Sequence, residues 1–267
     1  MRVEAVIYTP SSFSDELYLK ALSLVDEESR TRIKKFYHRV DSCRTLIGRL
    51  LVRVMLKERG VSPLQTTFAR TTAGKPFIAN QILEPPIAYN ITHDNNLVAM
   101  VVAPGTHNPP AFSIGIDVMK LRIPGRETLR SFINTVGDQL TILEHQLLRP
   151  LVSEDELLKR FFWMWTLKEA YTKALGLGLG FDFSRIEFDV INKIVKVDGN
   201  IPEGWRFNMF MINDGEDAYE GVVAEYVGGI PTEVIEGDSK DWLRVYDAVA
   251  FTESAINMLK HSGNPTQ

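Results

Sequence analysis

The chain has 267 residues, of which 45% are hydrophobic and 24% charged, with a net charge of −4. That composition excludes long disorder as the main state and suits one large domain or two small ones. So small a net charge argues against a nucleic-acid partner held by a broad basic surface.

Cys43 is the single cysteine, which rules out an intramolecular disulfide and a zinc site of several thiolates. Its apolar helical neighbours point to a buried structural thiol rather than a reactive one. The N-terminal Met-Arg-Val-Glu-Ala-Val-Ile-Tyr reads as a strand without a secretory apolar region. The longest apolar run near the middle, Leu97 to Ala103, is too short to cross a bilayer. A soluble, cytoplasmic protein with no membrane partner is expected.

In chain order, Val3 to Tyr8 predicts a short strand, and Ser14 and Asp15 offer caps for a helix reaching about Leu24. Asp26 to Arg59 predicts two helices rich in Arg and Lys, whose basic residues are expected on solvated faces. Thr67 to Arg70 reads as extended, and Gly74-Lys75-Pro76 closes a turn. Ile87 to Thr92 and Leu97 to Ala103 predict a hairpin around His93-Asp94-Asn95-Asn96. Pro104 to Pro110 reads as a linker, and Phe112 to Val118 as a half-buried strand. Helices are expected over Glu127 to Val136, Ile142 to Leu148 and Glu154 to Leu175. Strands are expected at Arg185 to Val190, Ile194 to Val197, Arg206 to Ile212 and Gly221 to Tyr226. The tail after Gly229 reads as mixed, with frayed ends from Ser262 to Gln267. This order of strands and helices indicates an α+β fold of two halves rather than a strict βα alternation.

Two features carry chemistry. Leu158, Phe161, Phe162 and Trp165 share one helical face with Glu169, and Lys173 follows one turn later. An apolar stripe ending in a carboxylate and an ammonium fits the rim of a cleft, although an exposed i, i+4 pair has the same spacing. Asp117 shares one side of a strand with Gly115 and Ser113, opposite Ile114, Ile116 and Val118, so a carboxylate stands beside a position with room for a bulky anion, although a strand-end Asp capping a turn has the same pattern. If Asp117 and Glu169 converge, their hard oxygens suit Mg²⁺. The Gly176 to Gly180 run follows a helix instead of preceding one, so it reads as a helix cap and turn, not a phosphate cradle. No Gly-x-Ser-x-Gly is present, which leaves a serine hydrolase without support.

Taken in order, several segments resemble the surfactin-type 4'-phosphopantetheinyl transferases. They are Phe36-Tyr37-His38 with Arg44 to Arg49, Gly74-Lys75-Pro76, Asn90-Ile91-Thr92-His93, Gly115-Ile116-Asp117-Val118 and Trp165 to Leu179. The resemblance implies two similar α+β halves forming a pseudo-dimer, each a small antiparallel sheet on a long helix, with coenzyme A in the cleft between them. Residues 1–110 would form the first half, 111–230 the second with the metal and catalytic residues, and 231–267 a C-terminal extension. The implied reaction moves phosphopantetheine from coenzyme A to a serine of an acyl or peptidyl carrier protein domain, releasing adenosine 3',5'-bisphosphate.

Carried onto this chain, Asp117 and Glu169 would hold Mg²⁺. Glu169 would act as general base, and Lys173 would meet the pyrophosphate. Lys75, Pro76, Thr92 and His93 would contact the nucleotide and phosphates, and Arg32, Thr45 and Arg49 would lie near the 3'-phosphate. Lys168 would set the helix edge or its electrostatics. Many bacterial relatives carry Asp-x-Glu at this strand, whereas Met119 occupies the second position here, implying a water in place of a third ligand. Asp117-Val118-Met119-Lys120 and Pro124-Gly125-Arg126 resemble the animal branch, and a eukaryotic, fungal source is expected. The implied partners are carrier domains of fatty acid, polyketide and peptide synthases and of aminoadipate reductase, served by a monomer. Thr128 to Leu148 would offer the docking surface through Phe132, Ile133 and Leu140, unless these are core residues. The rival readings are a non-catalytic carrier-binding module and another Mg²⁺-dependent phosphotransferase.

Overall fold

The structure is a computed structural model that describes residues 1–80, 83–105, 113–125, 127–149, 151–177, 180–237 and 239–260. The first strand, β1 (Arg2–Ile7), leads to three helices: α1 (Asp15–Leu22), α2 (Glu27–Lys34) and α3 (Arg39–Glu58). Ser14 caps α1 by accepting from Leu17 N, and Asp26 caps α2 by accepting from Ser29 N. Each such cap contributes about 1 kcal/mol. Short strands β2 (Phe68–Arg70) and β3 (Pro76–Ile78) form a separate ribbon, followed by the hairpin β4 (Ile87–Asp94) and β5 (Leu97–Pro104). The hairpin turn is tighter than expected: His93 and Asp94 pair with Val98 and Leu97, leaving Asn95 and Asn96 at the tip. Asn95 adopts φ 45° there, a conformation that its short polar side chain tolerates.

The remaining elements are β6 (Ile114–Lys120), α4 (Leu129–Thr135), α5 (Ile142–Leu147) and α6 (Glu154–Leu175). They are followed by the ribbon β7 (Ile186–Asp189) and β8 (Ile194–Val197), then β9 (Trp205–Asp214), β10 (Asp217–Tyr226), β11 (Glu233–Glu236), β12 (Leu243–Asp247) and α7 (Ala248–Lys260). Two four-stranded sheets result, in the orders β12-β1-β5-β4 and β11-β9-β10-β6. In each, three strands run antiparallel and the first of the order joins in parallel. The tail is therefore shared between both sheets: β11 joins the second, while β12 pairs with β1 in the first. No sequence pattern hints at this, because an edge strand declares its partner only through the fold.

Strand β5 is buried on both faces, as its unbroken apolar run requires. Val98, Met100 and Val102 pack with α3 residues such as Leu46 and Leu50, whereas Leu97, Ala99 and Val101 join Ile114, Ile116, Val118 and Val223. The third core cluster thus draws on both sheets. Helix α6 covers the opposite face of the second sheet, where Phe161, Phe162, Met164 and Leu167 pack with Phe207, Met209 and Val222.

Phe132 and Ile133 pack against this same core and Leu140 is buried in it, so the core role of these three residues prevails. Cys43 is fully buried. Gly176 ends α6 in the left-handed conformation at φ 70°, as the cap reading requires. The rest of that run falls partly on residues 178–179, outside the described residues, as do Phe112, Arg126, most of the expected linker and the final residues. Among the described residues, no helix is long and apolar enough to cross a membrane.

Candidate active site

Asp117 stands in the middle of β6, at the edge of the second sheet, and is 4% exposed. Thr92, on the neighbouring edge strand β4, donates its hydroxyl to Asp117 Oδ1 at 2.9 Å. Lys173, from the last turn of α6, donates to the same oxygen at 2.5 Å and to Thr92 Oγ1 at 3.1 Å. Three elements distant in sequence therefore meet at one carboxylate. Its other oxygen, Oδ2, is buried and has no hydrogen-bond partner among the described residues. An unpartnered carboxylate oxygen costs free energy unless a cation or donor faces it.

Glu169, one turn before Lys173, lies within electrostatic reach of Asp117. Burial, and then the Asp117 charge, push its carboxyl above the usual range, while Lys173 pulls it down. These two acids fit a hard divalent cation: Asp117 offers an open oxygen, and Glu169 carries a charge that its surroundings disfavour. Met119, two positions along the strand and half-buried, brings only a soft thioether. His93, next to Thr92, has Arg44 and Lys173 as well as Asp41 and Asp94 within electrostatic reach, and its ring is pushed below the usual value by desolvation and by the two cations.

Gly115 does not leave space for an anion, contrary to the sequence expectation. A Cβ there would lie 2.2 Å from Ala170 O and 2.4 Å from Ala174 N. The missing side chain lets α6 pack directly on β6, and that close approach carries Lys173 to Asp117. Lys168, on the other side of α6, is fully buried and donates to Glu144 Oε2 at 2.7 Å and Gln139 O at 2.8 Å. Glu144 also accepts from Thr141 N and Phe188 N, so this pair ties α6 to α5 and β7.

A second group lies along a cavity of about 970 Å³ lined by Arg49, Arg70, Pro76 and Tyr89 among others. Arg32 and Arg49 both depress the guanidinium of Arg70, after burial, so the three cations lie close together. Thr45 is one turn before Arg49 on α3. Tyr89 is 2% exposed, its hydroxyl is unpartnered among the described residues, and burial pushes it up to about 12. Sequence reasoning missed Arg70 and Tyr89. The signal was available: Arg70 ends the extended segment before the Gly-Lys-Pro turn, and Tyr89 alternates with the polar positions of β4.

Two expectations about basic residues change. Arg53, expected on a solvated helix face, is 5% exposed and pairs with Asp26 while donating to Arg49 O. Lys75, expected at a phosphate, is 7% exposed, and its ammonium donates to Ile114 O at 2.9 Å and Ala174 O at 2.7 Å. Burial pushes that ammonium down to about 7.

The comparisons identify the family. Residues 10–105 match the family described as "4'-phosphopantetheinyl transferase, N-terminal", and residues 113–210 match the "4'-phosphopantetheinyl transferase superfamily". A 4'-phosphopantetheinyl transferase of Paxillus involutus is 44% identical over 97% of this chain and 100% of its own length. An L-aminoadipate-semialdehyde dehydrogenase-phosphopantetheinyl transferase of Mus musculus is 31% identical over 74% of this chain and 66% of its own length. The 4'-phosphopantetheinyl transferase of Bacillus subtilis is 27% identical over 81% of this chain and 91% of its own. The chain belongs to the 4'-phosphopantetheinyl transferase superfamily, on the side of its eukaryotic broad-range members.

Proposed function

We propose that this protein transfers the 4'-phosphopantetheine arm of coenzyme A to a serine of an apo carrier protein domain, with Mg²⁺ as cofactor. The carrying observation is the meeting of Asp117, Thr92 and Lys173 at one oxygen, beside a Glu169 carboxyl raised by burial and by Asp117. Asp117 and Glu169 would hold the cation, which when bound neutralises pyrophosphate charge. Lys173 supplies positive charge where the leaving oxygen develops negative charge. Glu169 takes the proton of the incoming serine hydroxyl. The serine oxygen forms a bond to the phosphorus of the phosphopantetheine arm, and the bond from that phosphorus to the bridging oxygen breaks. Adenosine 3',5'-bisphosphate leaves with that oxygen.

Arg32, Arg49 and Arg70, with Thr45, are suited to the adenosine 3'-phosphate, and Pro76 and His93 to the nucleotide side of the pyrophosphate. Three strands of each sheet correspond in chain order, β1-β5-β4 with β6-β10-β9, which supports a pseudo-dimer of two halves; coenzyme A is proposed to lie between them. A single chain then builds the whole site, which favours a monomer; the cytoplasm is its proposed location. Carrier domains of fatty acid, polyketide and peptide synthases and of aminoadipate reductase are the proposed partners; the name of the mouse relative supports the last.

Intact-protein mass spectrometry of apo carrier domains incubated with the enzyme, coenzyme A and Mg²⁺ tests the proposal. One phosphopantetheine per carrier is expected, and unmodified carriers of every type would overturn it.

A further inference from the structure

The site is assembled on a strand edge that has no ladder among the described residues. Strand β6 pairs there with β10 on one side only, so its other edge faces β4 with backbone groups outside any described sheet pairing. Side chains from the first sheet meet these groups. Ile116 N donates to Asn90 Oδ1 at 3.0 Å, and Lys120 N donates to Asp94 Oδ2 at 2.7 Å. Ile114 O accepts from Lys75 Nζ at 2.9 Å. Asn90, Thr92 and Asp94 alternate along β4 and project from one face. The middle residue is the one that grips Asp117.

Lys75 does a second thing. Its ammonium donates to Ala174 O in the last turn of α6, where carbonyls lack partners within the helix and a cation suits the dipole. Lys75 and Asn90 are 7% and 6% exposed, so their polar ends face protein.

We infer that Lys75 and Asn90 are positioning residues for the transfer reaction: they hold the free edge of β6 and the last turn of α6 in register with β4, and so bring Asp117 and Lys173 to one point. This rests on the proposed transferase reading and moves Lys75 from the phosphate contacts to the frame behind them. A lysine touching pyrophosphate contributes to coenzyme A affinity, so its loss weakens binding. A lysine that fixes geometry acts on the transition state, so its loss lowers kcat.

The test compares wild-type protein with Lys75→Met and Lys75→Arg by steady-state transfer and by calorimetric titration with coenzyme A, with folding checked by circular dichroism. In Lys75→Met, kcat should fall about 30-fold or more, because small misplacements at a reacting centre have effects of that order. Its Kd for coenzyme A should stay within about 3-fold, and Lys75→Arg should recover part of kcat because it keeps the donors. The decision rests on which quantity changes more: a larger change in Kd than in kcat, or no change in either, overturns the inference. If Lys75→Met does not fold, the Ile116 amide of the wild-type protein decides. Its hydrogen exchange should be at least about 100-fold slower than in an open chain, and exchange at the open-chain rate overturns the inference. A wild-type enzyme inactive on every apo carrier strikes the functional reading instead, because the titration and the exchange are measured without a carrier.

Discussion

Asp117 uses its two oxygens differently, and at the scale of single residues the proposed chemistry depends on that difference. Oδ1 is engaged by Thr92 and Lys173, whereas Oδ2 is buried and open. Glu169 faces the same region with a carboxyl that burial and Asp117 push up. Glu169→Gln is therefore expected to lower kcat about 10²–10⁴-fold, the usual range for a general base, with little change in the melting temperature. A melting curve and a transfer assay check this together; near-normal turnover would remove Glu169 from the proton path. Glu220 is a different kind of acid. It is fully buried in β10 opposite Met119, neither oxygen has a partner among the described residues, and burial pushes it up to about 9. A carboxyl raised in the folded state keeps its proton while the unfolded chain has lost it. Its contribution is thus complete below about pH 4.5 and disappears as pH rises through the folded value. Urea unfolding between pH 6 and 9 should show a falling stability in the wild type and a shallower slope in Glu220→Gln. An identical slope would mean that Glu220 is charged throughout. The spacing of Glu169 and Lys173 was legible in the sequence because a helix repeats every 3.6 residues. Glu220 was not, because an acid in an alternating strand looks the same whether its face meets water or α6.

Helix α6 reaches β6 only because Gly115 has no side chain, and that contact sets the site at the scale of elements. Gly115→Ala would press a methyl group against the backbone of Ala170 and Ala174. Overpacking of this kind costs about 1–3 kcal/mol, and the displacement of α6 should lower transfer more than stability alone explains. Denaturant unfolding alongside kinetics separates the two effects, and full activity in this variant would refute the close-approach argument. Lys168 and Glu144 anchor the same helix from behind. Lys168→Met leaves Glu144 buried without its cation and should cost about 3–5 kcal/mol. Adding Glu144→Gln should recover part of that loss in urea unfolding; a double variant less stable than the single one would contradict the pairing. The faces of these elements were legible in the residue periodicity, but their neighbours were not. Asp117 and Gly115 were rightly placed on one side of β6, yet the space beside Gly115 was read as open because alternation says nothing about what packs there. Lys75 misled for a similar reason, since a turn lysine carries no mark of the helix end that it caps.

At the scale of the molecule, the tail closes the structure by adding β11 to one sheet and β12 with α7 to the other. Most strands and helices were legible because their hydrophobic periods are long and regular. The parallel pairing of β12 with β1 was not, because it joins residues more than two hundred positions apart. The meeting of Asp117 with Lys173, 56 residues apart, became legible only through the ordered motifs. The proposed reading places one cation at the two acids, beside the lysine, and the nucleotide along the arginine-lined cavity. A crystal of the protein grown with coenzyme A and Mn²⁺ reads this most directly through the anomalous scattering of manganese. The account predicts one anomalous peak between Asp117 Oδ2 and the Glu169 carboxylate, with the pyrophosphate beside Lys173. A peak elsewhere, or a nucleotide bound away from both acids, would contradict it.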